Sequence, residues 1–175
     1  MIVRPYDGKE PRFGARVFVA ENAAVIGDVE LGDDCSVWFS TTIRGDVNAI
    51  RIGAGTNVQD NCTIHVTHHD WPTAIGAHVT IGHGAIVHGC TVGDGALIGM
   101  GSRVLDGAVV GESALVGAGA LVAEGMQVPP RTLVLGVPAR VKRPLTDDEL
   151  AHLERSWRNY VEYKEKYLEV LSAES

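Results

Sequence analysis

The sequence predicts an all-β protein: a three-sided parallel β-helix of six-residue repeats, closed by one C-terminal α-helix. Three observations carry this. Aliphatic residues recur every six positions through most of the 175 residues. Glycine often follows the aliphatic, and a small residue often stands four places after it. Beyond a proline-bearing stretch the spacing turns helical.

The first 18 residues hold no six-residue beat and read as an N-terminal cap. Residues 19–140 form the coil. Its beat runs Val19, Val25, Leu31, Val37, Ile43, resumes at Ile52, Val58, Ile64 and again at Ile75, Ile81, Val87, then continues unbroken from Val92 to Val134. No helix has this period and a plain strand has period two, so each unit is a short strand plus a turn. Three units make one coil of a triangular prism. The aliphatic points inward, and residues such as Ala85, Ala96, Ser102 and Ala108 fit near the corners. Nineteen aliphatic positions give about six coils, stacked about 4.8 Å apart. Pro129 and Pro130 disturb the last turns, and "LGVPARVKRPL" leads off the coil. Residues 146–172 form the helix. Thr146 and Glu149 make a capping box, and Leu150, Leu153, Trp157, Tyr160, Lys164, Tyr167 and Leu171 follow at helical spacing. This amphipathic helix is expected to pack along the coil or against a neighbouring copy.

Composition narrows the function. With 45% hydrophobic but only 6% aromatic residues, the core is aliphatic and suits thin repeated layers. A net charge of −7 argues against nucleic acid, which requires a basic face. No apolar run reaches membrane-spanning length, and the first residues lack a signal-peptide core. Three widely spaced cysteines do not suggest a disulfide framework. A cytoplasmic location is expected.

The beat breaks three times. Ile43 to Ile52 is three residues too long and contains "RGDVN". Ile64 to Ile75 is five too long and contains "HVTHHDWPTA". Val87 to Val92 is one too short and contains "HGCT". Six of the seven histidines lie between Ile64 and Val92. If each long interval is one edge with a bulged loop, Ile64 to Val87 is three edges, one full coil. His65 and His88 then occupy one slot on one face, with Arg44 in the same column. Imidazoles stacked one coil apart can both reach a metal ion. His83 stands two places after Ile81, on another face, and reaches that ion only from a neighbouring subunit of a closed trimer. Alone, each histidine would read as a polar surface residue. Three at these slots read as metal ligands that leave a fourth position open, as in catalytic rather than structural sites. Zinc is the expected metal, with iron(II) or cobalt(II) as alternatives.

The repeat resembles the left-handed β-helix of the hexapeptide-repeat superfamily, and handedness rests on that resemblance. "RGD" at Arg44–Asp46, "NVQD" at Asn57–Asp60, the His65 position, "IGHGAIVHGCTVGD" from Ile81 and "LIGMGS" from Leu97 resemble the gamma-class carbonic anhydrase family, over roughly Val3 to Leu171. The resemblance implies a homotrimer with metal at subunit interfaces and His65, His83 and His88 as ligands. It implies an inter-subunit ion network of Arg44, Asp46 and Asp60, which as a plain salt bridge would only stabilise the trimer. It places Gln59 near the metal-bound solvent and brings Tyr160 of the helix towards the site. Two positions depart from some well-studied family members: Val47 stands where they carry a glutamate after the aspartate of the RGD-like motif, and His68 where they carry a loop glutamate that is read as the proton shuttle. His68 can substitute, because an unperturbed imidazole titrates near pH 6.5; it or His69 is equally readable as a solvated loop residue.

The expected reaction is therefore reversible hydration of carbon dioxide to bicarbonate, with metal-bound hydroxide as nucleophile. Two alternatives stand beside it: a hexapeptide acyltransferase or acyl-thioesterase, and a non-catalytic metal-binding trimeric scaffold.

Overall fold

The computed structural model describes residues 1–173. The chain winds as a parallel β-solenoid of about seven turns with a single C-terminal helix. Each turn has three faces. The first carries Thr63–His65, Ile86–His88, Arg103–Val104 and Leu121–Val122, and the second carries Thr73–Ile75, Thr91–Val92, Val109–Val110 and Gln127–Val128, while Ala24–Leu31 begins on the first and ends on the second. Thr42–Ile52 runs round the same corner and likewise belongs to both. The third face stacks Phe18–Val19, Ser36–Val37, Asn57–Val58, Thr80–Ile81, Leu97–Ile98, Leu115–Val116 and Thr132–Leu135. The coil is one turn longer than the beat suggests because residues before Val19 also pair: Ile2–Arg4 and Arg12–Phe13 lie parallel to Ala24–Leu31 and cover the coil's open end.

The beat survives intact in three dimensions. Val25, Ile43, Ile64, Val87, Val104 and Val122 are fully buried in one column, and Val37, Ile81, Ile98, Val116 and Val134 in another. The small residues Ala85, Ala96, Ser102, Ala108, Ala114 and Ala120 are buried too, at the corners between them. Burying a Val or Ile side chain contributes roughly 1.5–3 kcal/mol, so a column repeated at every coil holds the solenoid without large aromatics. Gly53 shows why corners exclude side chains: a Cβ there would lie 2.5 Å from Ala77 N on the next coil.

The helix, Asp147–Ala173, runs down the third face. Its capping box is formed: Thr146 N donates to Glu149 Oε2 (2.8 Å) and Glu149 N donates to Thr146 Oγ1 (3.2 Å). Arg143 adds a two-pronged ion pair to the same carboxylate. Down the helix, Trp157 stacks on His78 (4.1 Å between centroids), Tyr160 meets Trp38 edge-on (5.3 Å), and Tyr167 packs against Phe18, Trp38 and Phe39. Lys164, at a position read as part of the apolar stripe, is completely buried; its ammonium pairs with Asp34 (3.0 Å) and with Glu165. The aromatic stripe is thus packing surface, with one buried charge clamped at its centre.

Candidate metal centre

His65 and His88 end the adjacent first-face strands Thr63–His65 and Ile86–His88 and pair directly in parallel register. His65 Nδ1 lies 3.0 Å from His88 Nε2. Zinc–nitrogen bonds of about 2.0–2.1 Å in a tetrahedron set ligand nitrogens about 3.3 Å apart, so this pair already has nearly the spacing of two ligands on one ion. Arg44 follows Ile43, which pairs with Ile64 one coil on, so the column Arg44, His65, His88 stands as counted.

His83 lies on the other side of the prism, in the turn after Thr80–Ile81. Exposure of the three imidazole side chains rises from 18% at His65 through 31% at His88 to 42% at His83. Among the described residues no three His, Cys, Asp or Glu side chains converge on a point that could hold a metal. One chain therefore presents two of the expected ligands together and the third apart and outward.

Each imidazole is backed by a carboxylate. Asp106 Oδ1 accepts from His88 Nδ1 at 2.5 Å, Asp60 Oδ2 pairs with His83 Nδ1 at 2.7 Å, and Asp46 Oδ1 lies 3.1 Å from His65 Nε2. Carboxylates on the distal ring nitrogen fix tautomer and ring plane and raise ligand basicity. For His83 and His88 the carboxylate engages Nδ1, which leaves Nε2 as the ring nitrogen turned away from it. Burial lowers the pKa of His65, and the Arg44 cation acts in the same direction against the Asp46 bond, so the ring is held neutral. Burial alone would raise the Asp46 carboxyl, but bonds from His65 and Arg44 hold it below the ordinary carboxylate range. Asp106 follows the same pattern: burial raises it, while Thr67 and His88 outweigh burial and lower it.

The other expected residues fall into place unevenly. Arg44 pairs with Asp46 within its own chain, so Asp46 and Asp60 already serve imidazoles before any neighbour is considered. Gln59 is buried and held at both ends of its amide: Oε1 accepts from His83 N (3.1 Å) and Nε2 donates to Asn57 Oδ1 (3.2 Å). It shares a cavity of about 500 Å3 with His83, Tyr160, Leu97, Met100 and Leu115. The Tyr160 phenol is pushed up to about 12, first by burial and then by the Asp60 charge, and stays protonated. His68 is exposed and touches His69 (3.6 Å between centroids), with no hydrogen bond to His65 or His88 among the described residues. Cys90 is buried, with its thiol raised to about 12 by burial, which suits packing and not ligation.

Asp106 and Thr67 were not singled out from the sequence. A signal existed: the short repeat makes this coil 17 residues, so Val104 stacks on Val87 and Asp106 falls two places later, beside the slot that His88 occupies one coil below.

The repeat and the coil define a hexapeptide-repeat protein, and a model of the bacterial transferase hexapeptide (six repeats) family matches residues 89–124. Over 166 residues the chain is 46% identical to the carbonic anhydrase of Geobacillus kaustophilus, covering 95% of this chain and 91% of that one. It is 46% identical over 157–158 residues to gamma carbonic anhydrases of Arabidopsis thaliana mitochondria, spanning 87% of this chain but 57% of each of those. The structure of a hexapeptide transferase family protein from Anaplasma phagocytophilum superposes with a TM-score of 0.91 at 42% identity, over 95% of this chain and 98% of that one. The chain belongs to the gamma-class carbonic anhydrase family.

Proposed function

We propose that this protein is a homotrimer catalysing reversible hydration of carbon dioxide to bicarbonate at divalent metal sites between subunits. His65 and His88 of one copy and His83 of the next would hold the metal. The observation that carries this reading is the 3.0 Å approach of His65 Nδ1 to His88 Nε2 in direct cross-coil register. The donor set fits zinc, with iron(II) or cobalt(II) as alternatives: three imidazoles, each fixed from behind by one carboxylate, with no thiolate in reach. Such an ion would supply Lewis acidity and make hydroxide available near neutral pH.

The chain's own residues do the rest. Asp60 and Asp106 hold the rings of His83 and His88 with Nε2 forward. Gln59 is locked between His83 N and Asn57, so its second amide N–H is positioned to orient a bicarbonate oxygen. Leu97, Met100 and Leu115 give the adjoining cavity an apolar wall suited to carbon dioxide and poor in competing water. Tyr160, kept protonated, offers a donor from the helix. Each hydration must export a proton, and the exposed His68 and His69 are the imidazoles that can release it to solvent.

Stopped-flow carbon dioxide hydration on zinc-loaded and iron-loaded protein tests this. Activity present in the wild type and lost in His65→Ala is the expected result; a silent wild type with either metal overturns it. One observation favours a second reading: a 500 Å3 cavity is far larger than carbon dioxide needs and would take the acyl end of a thioester. Thioester hydrolysis by wild type and His65→Ala separates the two. If both assays are silent while metal removal lowers the melting temperature, the protein is a metal-holding scaffold.

A further inference from the structure

We propose that Thr67 and Asp106 are positioning residues that join the loop between Val66 and Thr73 to the His88 imidazole, so that seating of this loop and retention of the metal are one event. The proposal rests on the metal site proposed above.

The loop is the largest break in the repeat, and it is tied to both ligands of its own chain. At one end Thr73 Oγ1 donates to the backbone carbonyl of His65 (2.6 Å). At the other, Thr67 Oγ1 donates to Asp106 Oδ2, while Asp106 Oδ1 accepts from His88 Nδ1 (2.5 Å). One carboxylate thus bridges a loop hydroxyl and a ligand ring. An ionised carboxylate only accepts, so the hydroxyl and Nδ1 must both carry hydrogens, and Nε2 is the His88 ring nitrogen that faces His65. Within the loop, Thr67 N donates to Trp71 O (3.0 Å) and Asn48 Nδ2 donates to Thr67 O (3.1 Å), so Thr67 is held by main chain and side chain together.

The bridge has been given room. The repeat is one residue short between Val87 and Val92, and the early turn places Gly89 at φ +53°, a conformation that disfavours side chains. A Cβ on Gly89 would stand 2.3 Å from Asp106 Oδ1 and 2.9 Å from Trp71 Cβ. Gly107 does the same under the Trp71 ring, where a Cβ would come within 3.1 Å of it. The shortened repeat and the lengthened one are therefore complementary: the space left by the first receives the anchor of the second.

Without the Thr67 hydroxyl, Asp106 Oδ2 loses its protein donor, the carboxylate is freed to rotate, and the His88 ring loses its fixed plane. Loss of such an outer partner costs about 10–100-fold in metal affinity. Coupling is reciprocal, so metal that fixes His88 also fixes Asp106, Thr67 and the loop that carries His68 and His69.

The test uses the full chain. Zinc dissociation constants are measured by chelator competition, and hydrogen exchange of peptides spanning residues 66–73 is followed with and without zinc, for wild type, Thr67→Val, Thr67→Ser and Asp106→Asn. Zinc is expected to slow loop exchange in wild type and Thr67→Ser. Thr67→Val and Asp106→Asn should bind zinc about 10-fold more weakly or worse and lose the zinc effect on the loop. His65→Ala guards against zinc held by the loop histidines alone and should show no zinc effect. Wild-type zinc affinity in folded Thr67→Val, or wild-type loop exchange indifferent to zinc, overturns the coupling while leaving the metal site standing. Should Thr67→Val not fold, Asp106→Asn, which keeps the side chain's volume, decides the same question. A wild type that binds no zinc removes the metal site itself, and the coupling with it.

Discussion

His65 and His88 face each other across one coil with ring nitrogens 3.0 Å apart, whereas His83 of the same chain points away on a different face of the prism. A site built from two chains makes a prediction that no single-chain site shares. His65→Ala and His83→Ala proteins should each lose tight zinc binding. Co-refolded in equal amounts, they should regain about a quarter of the wild-type sites, because a random quarter of subunit junctions in a closed ring pairs an intact His65 with an intact His83. Zinc content after dialysis reads this directly. No recovery, or full binding by His83→Ala alone, contradicts a shared site.

Asp34 and the buried Lys164 predict an acid-sensitive clamp. The Asp34 pKa is lowered first by the Arg16 bond, against burial, and further by Lys164. A carboxyl lowered on folding contributes stability that is present above its unfolded pKa of about 3.9 and lost as pH falls through the lower folded value. Asp34→Asn should therefore cost roughly 3 kcal/mol at pH 7, the low end for a broken buried pair because Glu165 still faces Lys164. The gap to wild type should close below about pH 4. Asn tolerates the positive φ of 59° at this position, so the backbone does not confound the comparison. Lys164→Met should be neutral or stabilising, since an apolar side chain of similar size avoids desolvating the ammonium. Urea unfolding at pH 7 and pH 3.5 checks all three.

The cysteines should be silent. Burial raises the Cys35 thiol to about 12, Cys62 to about 11 and Cys90 to about 12, and only the thiolate is nucleophilic. Folded protein at pH 8 should not react with a thiol-specific disulfide reagent, whereas all three cysteines should react in guanidinium. Rapid labelling of native protein would show that the coil opens at these corners.

The inner columns should carry the stability. Ile98 is fully buried between Ile81 and Val116 of the coils on either side. Ile98→Ala should cost about 2–5 kcal/mol, read as a shift in the urea midpoint with little change in slope. A cost under about 1 kcal/mol would mean that the column collapses around the gap.

Much of this was legible in advance, for an identifiable reason. A strict period ties sequence position to a place on the prism, so counting edges is enough to stack His65 under His88 and set His83 apart, and the capping-box pattern places Thr146 and Glu149 at a helix start. Counting fails where the path is not periodic. Helical spacing placed Lys164 in an apolar stripe, yet its charge is buried against Asp34, 130 residues earlier. Spacing likewise does not pair Asp46 with His65 or Asp60 with His83, yet within the chain these carboxylates back those imidazoles.

What the sequence by itself determined is the backbone: three faces, the inward column of aliphatics, the column of Arg44, His65 and His88, and the closing helix, because each follows from spacing alone. Only the tertiary structure decided which carboxylate stands behind which ring, where the Val66–Thr73 loop is fastened and which charge the helix buries. Those partners meet through side chains on loops and on a docked helix, whose positions depend on packing and on room left by single glycines, and neither is written into a repeat.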